Sequence, residues 1–340
     1  ECMHNETMRY PRNAFALVFL QTTFAFSFAP NHIFGNLPSH RNAVLHGGCS
    51  MQAGSSAEGG PALGQKTALV TGATDGIGLH TATKLANAGY FVLIHGRDPV
   101  RIQEALRKIR LSNPKAGVES FQADFSSLRD VSRFASEVLE QYQCLDLLIN
   151  NAGVFSQQMR TTEDGNEMTF QVNVLAPFLL TKALLPIVAK AQAGRVIIVS
   201  SISQSSRIDW DNLQMEKGFS SHESYSLSKL CNAMHALELA RATARTAPHV
   251  SVNTLDPGTV NTKMLLAGWG YCGMEVADAN DEFLLATDPR FEGVSGKYFV
   301  GGRERQAAAP CYDAAACAEL WRRLEALTDR FLPTSPAAAL

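Results

Sequence analysis

Tyr225 and Lys229 stand four residues apart in ESYSLSKLCNAMHALELA, residues 223 to 240. Leu227, Leu230, Met234 and Leu237 recur there at helical spacing, so the segment reads as an amphipathic helix. Positions four apart share a helix face, and a phenol and an ammonium on one face can reach a common point beyond it. The bland reading is a solvated surface pair. The chemical reading is proton transfer. A carbonyl being reduced needs a proton on its oxygen, and a free phenol, titrating near about 10, gives and takes protons poorly at neutral pH. A fixed ammonium favours the phenolate, and bringing the phenol's titration down by about two or three pH units represents roughly 3–4 kcal/mol of differential interaction. What surrounds the pair decides between the two readings.

The elements that must position such a pair begin at QKTALVTGATDGIGLHTATKLANAGYFVLIHGRD, residues 65 to 98. A short buried strand over 67–71 runs into a turn with Gly72, Gly76 and Gly78, then a helix over 77–87, a stop at Gly89 and a second buried strand over 91–94. In such a βαβ opening the helix N-terminus aims backbone N–H groups at an anion, and glycine lets the backbone approach a pyrophosphate. The turn also contains Thr74, Asp75 and Ile77. The second strand ends His95-Gly96-Arg97-Asp98. An acid there suits a ribose 2′-hydroxyl, whereas a cation suits a 2′-phosphate. Arg97 offers a bidentate fork and Asp98 reads as the N-cap of the next helix, which favours NADP(H) over NAD(H). Asp75, an acid where a basic residue would have helped, argues the other way.

The alternation continues with strands near 118–121, 145–149, 195–200 and 250–255, and with helices from Ser126, from Met168 and through the Tyr225 segment. This predicts an α/β chain: a single Rossmann-type doubly wound parallel sheet with helices on both faces. Ligands bind such sheets beyond the carboxyl ends of the strands. The residues there are Gly72 to Gly78, Arg97, Asp124, Asn150 to Gly153, Ser201 and Asp256 to Thr262. No internal repeat and no second-domain linker is visible.

At 340 residues, 46% hydrophobic, 18% charged and a formal net charge of −2, the chain has no basic run to suggest nucleic acid as partner. Its seven cysteines are scattered, without CxxC or metal-ligand spacing, which points to reduced thiols and no metal site.

The first 63 residues read differently. No Asp or Glu occurs from Met8 to Ala57; Arg9 and Arg12 precede the apolar run AFALVFLQTTFAFSFAP, and an acid-free stretch with Arg41 follows. A secretory-type signal followed by a transit-like segment implies delivery to a plastid, with the ER or secretory pathway as the alternative. Met8 reads as the start of translation. Residues 1–63 are thus assigned to a leader and Gly/Ser linker, 64–332 to the folded domain and 333–340 to a tail.

TGATDGIG, NNAG at 150–153, the Asn in QVNVLAPFLLT, VSS ending at Ser201, YSLSK and DPGTVNT occur in one order over residues 65–332. Together they resemble the short-chain dehydrogenase/reductase family. RIDWDNLQMEKGFSSHESYSLSKLCN and DEFLLATDPRFEGVSGKYFVGGRER resemble its retinol-dehydrogenase-like branch. The resemblance implies a catalytic group of Asn173, Ser201, Tyr225 and Lys229. Tyr225 would be the general acid/base, Ser201 would polarise the substrate oxygen, and Asn173 would support a water relaying protons to Lys229, which also binds the nicotinamide ribose. Ser200 is a rival to Ser201, and strand alternation allows only one to face a cleft. It further implies that Gly72, Gly76 and Gly78, with Thr74, Asp75 and Ile77, cradle the pyrophosphate. Asp124 would bond the adenine, and Asn150 would steady the strands beside Ala152 and Gly153. Thr262, after Pro257 and Gly258, would touch the carboxamide.

The expected function is NADP(H)-dependent interconversion of an apolar alcohol and its aldehyde or ketone, by a soluble domain that is free to form homo-oligomers. A non-catalytic NADP(H)-sensing regulatory or scaffold protein is the alternative, and an epimerase or dehydratase is disfavoured by the tight Gly76–Gly78 spacing. His222 reads as a loop residue. Trp210, Trp269 and Tyr271 either line a substrate pocket or pack the loops.

Overall fold

The computed structural model describes residues 60–333. The leader assigned to residues 1–63 lies, up to residue 59, outside the described residues, as does the assigned tail from residue 334 onward.

Apolar runs become buried strands: β1 (Thr67–Val70), β2 (Phe91–Gly96), β3 (Val118–Gln122), β4 (Leu147–Asn150), β5 (Arg195–Val199) and β6 (Ser251–Asp256). In β1, β2, β4 and β6 every residue is buried, as parallel strands covered on both faces must be. The sheet order is β3-β2-β1-β4-β5-β6-β7-β8, with β7 (Tyr298–Val300) parallel and β8 (Arg303–Arg305) antiparallel. The chain winds outward from β1 to β3 and returns to β4 on the other side of β1. That reversal opens a crevice beyond the strand ends.

Helices α1 (Gly76–Asn87), α2 (Pro99–Ser112) and α8 (Asp281–Thr287) share one apolar cluster with Ala68, Val70, Val92, Ile94, Ile197 and Val199. The alternate residues, Leu69, Leu93 and Ile198, face the opposite way. Helices α3 (Leu128–Gln141), α5 (Ala176–Val188), α6 (Ser221–Thr246) and α9 (Ala314–Thr328) pack with one another and with the sheet there. α4 (Met168–Phe170), a π-helical turn over Gln171–Leu175 and α5 run on as one rod. That rod is long and apolar enough to cross a membrane, but 89% of its most apolar window is buried in the fold.

The sheet departs from the expected all-parallel arrangement at its last edge. Gly301 and Gly302, with φ of 58° and 66°, form a two-residue turn that pairs β7 with an exposed, charged β8. Among the described residues Cys231, Cys272, Cys311 and Cys317 are free thiols.

Candidate active site

The glycine turn follows β1 and is held by β2 and β4. Asn151 donates its amide to the carbonyls of Thr71 (2.7 Å) and Gly72 (3.3 Å), and the Thr71 hydroxyl accepts the N–H groups of Asn151 and Ala152. His95 accepts the Gly72 N–H on Nδ1 at 3.2 Å, which puts its proton on Nε2, facing the Ala123 carbonyl at 3.1 Å. Gly72 adopts φ of +65°, and a Cβ there would lie 2.8 Å from Ala152 Cα. At Gly78 a Cβ would lie 2.3 Å from the Asn151 amide and 2.6 Å from the Gly72 carbonyl. Close approach of helix, turn and strand therefore requires glycine. The result is a bare backbone groove at the N-terminus of α1, which fits the pyrophosphate of a dinucleotide.

The other residues expected to bind the cofactor ring this groove. Asp75 caps α1 through the Gly76 N–H, and Ile77 lies in the first turn of that helix. Thr74 lies against Gly96, where a Cβ would meet its Cγ2 at 2.3 Å. Asp124, past β3, accepts the N–H and hydroxyl of Ser126. Thr262 caps α7 (Lys263–Gly268) and touches Gly76, and Asp256 accepts the N–H groups of Ile202 and Gly258 around Pro257. Gly153 faces Asn173 and the tip of Met264. Two residues stand apart. Arg97 is exposed at the rim, and Asn150 turns from the groove to donate to Thr181 at 2.7 Å. Arg101, His95 and Lys263 border this turn although sequence reasoning gave them no role, and Asn151, placed at the strand end within NNAG, had been given no individual role.

Tyr225 and Lys229 lie on the buried face of α6, 9% and 3% exposed, so they are no surface pair. Lys229 Nζ sits 5.5 Å from the centre of the Tyr225 ring and donates to the Val199 carbonyl at 3.1 Å. Ser201 accepts the Ser203 N–H at 3.1 Å and lies close enough to the Tyr225 phenol to act on its titration, while Ser200 turns into the core and donates to the Lys229 carbonyl at 2.6 Å. Strand alternation thus aims Ser201, not Ser200, at the tyrosine. Asn173 sits in the π turn, where a widened helix re-aims a side chain. It accepts the Val154 N–H at 2.8 Å and donates to the Val154 carbonyl and the Ser228 hydroxyl, both at 3.0 Å.

The electrostatics correct one expectation. The Tyr225 phenol is not lowered but pushed up to about 12, by burial first and by the charge of Asp256 next, with the Ser201 hydroxyl opposing. Burial draws Lys229 down to about 8 against the charges of Glu282 and Asp256. At neutral pH the pair is a neutral phenol beside an ammonium.

Aromatic rings wall the tyrosine. Phe155 and Trp269 contact its edge with centroids 5.8 and 5.4 Å away, and His222 completes the cluster at 5.2 Å from Phe155 and 5.1 Å from Trp269. His222, expected as a loop residue, stands in the first turn of α6. Trp269 lines the site, whereas Trp210 packs its loop under Arg323 and Tyr271 is exposed and bonded to Glu275. Among the described residues no group of three or more His, Cys, Asp or Glu could hold a metal ion.

A family model described as short chain dehydrogenase matches residues 66–267. Human retinol dehydrogenase 14 is 36% identical over 284 residues, 75% of this chain and 84% of that protein. Human polyprenol dehydrogenase is 31% identical over 280 residues, 77% of this chain and 85% of that protein. A crystal structure of an uncharacterized protein from Mycobacterium paratuberculosis matches with a TM-score of 0.63 at 27% identity, covering 78% of this chain and 94% of that one.

Proposed function

The chain belongs to the short chain dehydrogenase family, oxidoreductases of alcohol and carbonyl groups, and from that premise we propose that it interconverts an apolar alcohol and its aldehyde or ketone with NADP(H), using Tyr225 as general acid/base. The observation that carries this reading is the burial of Tyr225 and Lys229 together on one face of α6, the ammonium 5.5 Å from the ring centre, with Ser201 near enough to the phenol to act on its titration. With its pyrophosphate held in the glycine groove, a nicotinamide dinucleotide would supply or accept the hydride. The chain's own residues handle the oxygen and its proton. Ser201 donates to the substrate oxygen and holds it at Tyr225. In reduction Tyr225 gives up its proton and becomes a phenolate. The Lys229 ammonium on the same buried face stabilises that charge; opposite charges about 5 Å apart attract by roughly 3 kcal/mol at an effective dielectric of about 20. Asn173 holds the Val154 backbone and Ser228 beside that route.

Phe155, Trp269 and His222 form a wall suited to an apolar substrate, and retinol and polyprenol, in the relatives' names, are apolar alcohols. The cofactor preference rests on Asp98: its carboxylate is engaged as the N-cap of α2, accepting from Val100 at 2.9 Å, and Arg97 follows Gly96 free at the rim. The acid-free stretch from Met8 to Ala57 supports plastid delivery, with the ER or secretory pathway as its other reading.

The test is NADPH absorbance in the presence of a panel of apolar aldehydes and ketones. Wild-type protein should consume NADPH, and Tyr225→Phe should lower kcat by about 10²–10⁴ while still binding cofactor. Cofactor binding without turnover on any carbonyl would leave the sensing role as the better reading.

A further inference from the structure

β6 ends on a carboxylate to which the proposed reaction assigns no part. Asp256 is 3% exposed, and both of its oxygens are committed to backbone. Oδ1 accepts the N–H of Ile202, the residue after Ser201, and Oδ2 accepts the N–H of Gly258, each at 3.0 Å. The turn at Gly258 leads on to Thr262, which borders the glycine groove at Gly76. One side chain thus joins the loop that carries the serine to the turn beside the groove. The Ser201 hydroxyl accepts the Ser203 N–H at 3.1 Å, which leaves its own proton free for a substrate oxygen. Pinning Ile202 fixes where that hydroxyl stands.

The same carboxylate lies level with the head of Lys229. Lys229 donates to the carbonyl of Val199, the last residue of β5, and Val199 pairs with Leu255, the neighbour of Asp256. The titratable groups around this point are Tyr225 and Lys229 from α6, Tyr298 from β7, and Asp281 and Glu282 from α8. Lys229 is the one cation among them. Glu282 also acts on it, but one Glu282 oxygen is buried without a partner, whereas both Asp256 oxygens are satisfied. A buried carboxylate whose oxygens both accept N–H groups keeps its charge more readily than one left bare.

We propose that Asp256 is a positioning residue of the reduction: it sets Ser201 against the turn beside the groove and supplies the fixed negative charge that Lys229 faces. This rests on the carbonyl-reductase reading above. The anion favours the Lys229 ammonium and disfavours the Tyr225 phenolate. Both effects hold the pair as phenol and ammonium, the protonation state from which reduction starts.

The pH profile of kcat/KM for carbonyl reduction by the full chain tests this, with urea denaturation confirming that each variant is folded. Asp256→Asn keeps an acceptor for one N–H and removes the charge. It should lower the plateau about tenfold and move the alkaline break, set by Lys229 at about 8, down by about half a pH unit or more. Asp256→Glu keeps the charge but misplaces its oxygens, so it should lose rate with the break unmoved. Should the amide not fold, Asp256→Ser supplies the same uncharged comparison. A loss in the uncharged variant that is uniform across pH, with the break in its wild-type place, would overturn the proposal, since a plain loop staple behaves that way. Wild-type protein that binds cofactor and reduces no carbonyl would sink the reductase reading, and this role with it.

Discussion

Lys229 sets the pH limit of the proposed reduction. Its ammonium is drawn down to about 8 by burial, and the Tyr225 phenol is pushed up to about 12 by the same cause. Reduction draws a proton from the phenol and leaves a phenolate that needs the ammonium beside it. The phenol is present throughout the physiological range, while the ammonium is present below about 8 and lost as pH rises through it. The kcat/KM for carbonyl reduction should therefore be flat from about pH 6 to 7.5 and fall above about 8. Lys229→Met should lower it by about 10² or more and abolish that break, and a break that persists in the variant would assign it to another group. The four-residue spacing told which groups share a helix face, and it was legible. Their depth was not, because spacing carries no dielectric, so the expected lowering of Tyr225 came out with the wrong sign. Asn151 and His95 were given no individual role for a related reason: what they bind is the backbone of the glycine turn, a partner that only the fold brings near.

At the scale of elements, the loop between β5 and α6 must deliver Tyr225 to the end of the sheet, and Glu167 anchors it. This carboxylate is 1% exposed, caps α4 through the N–H groups of Thr169 and Phe170, and accepts the hydroxyl of Ser224 next to Tyr225 at 3.0 Å. Gln214, inside the long loop, accepts the Glu167 N–H and donates to Asn166. Removing the carboxylate strands three buried donors. Glu167→Ala should lose about 2–4 kcal/mol in urea denaturation, and Glu167→Gln, which keeps one acceptor, roughly half of that. A loss under about 0.5 kcal/mol would mean that water or a neighbour satisfies those donors. The central strands and long helices were legible because apolar runs and caps mark them. The π turn was not, since QVNVLAPFLLT carries ordinary helical periodicity and the widening answers to Asn173 meeting Val154 and Ser228. β8 escaped notice because three exposed charged residues have no apolar face, although Gly301-Gly302 signalled the turn.

Across the whole molecule, two histidines buried on the same side of the sheet, one against α3 and one between α5 and α9, tie stability to acid. His95 lies stacked on Phe125 with its Nδ1 committed to Gly72, and burial holds it at about 4. His235, on α6 between Phe178 and Trp321, has a buried Nδ1 without a hydrogen-bond partner, and burial holds it at about 3. Both folded values lie below the unfolded 6.5, so the unfolded chain binds more protons and stability is lost as pH falls from 6.5 toward 4 and 3. Glu282, raised to about 7 by burial in the layer of α1 and α8, works in the opposite sense: its contribution is full below 4.5 and is lost as pH rises through 7. The histidines span the wider range. Every tenfold difference in proton affinity between the folded and unfolded chain corresponds to about 1.4 kcal/mol, so their sum is comparable to a typical folding margin of about 5–15 kcal/mol. Stability measured in urea should therefore drop by several kcal/mol between pH 6.5 and 4. His235→Leu separates this from carboxylate effects: it removes an unpartnered polar atom at similar volume, so it should be neutral or stabilising at pH 7 and visibly flatten the acid slope. An unchanged slope in that variant would mean that His235 takes up its proton inside the fold, with the packing of α6 against α9 opening to admit it.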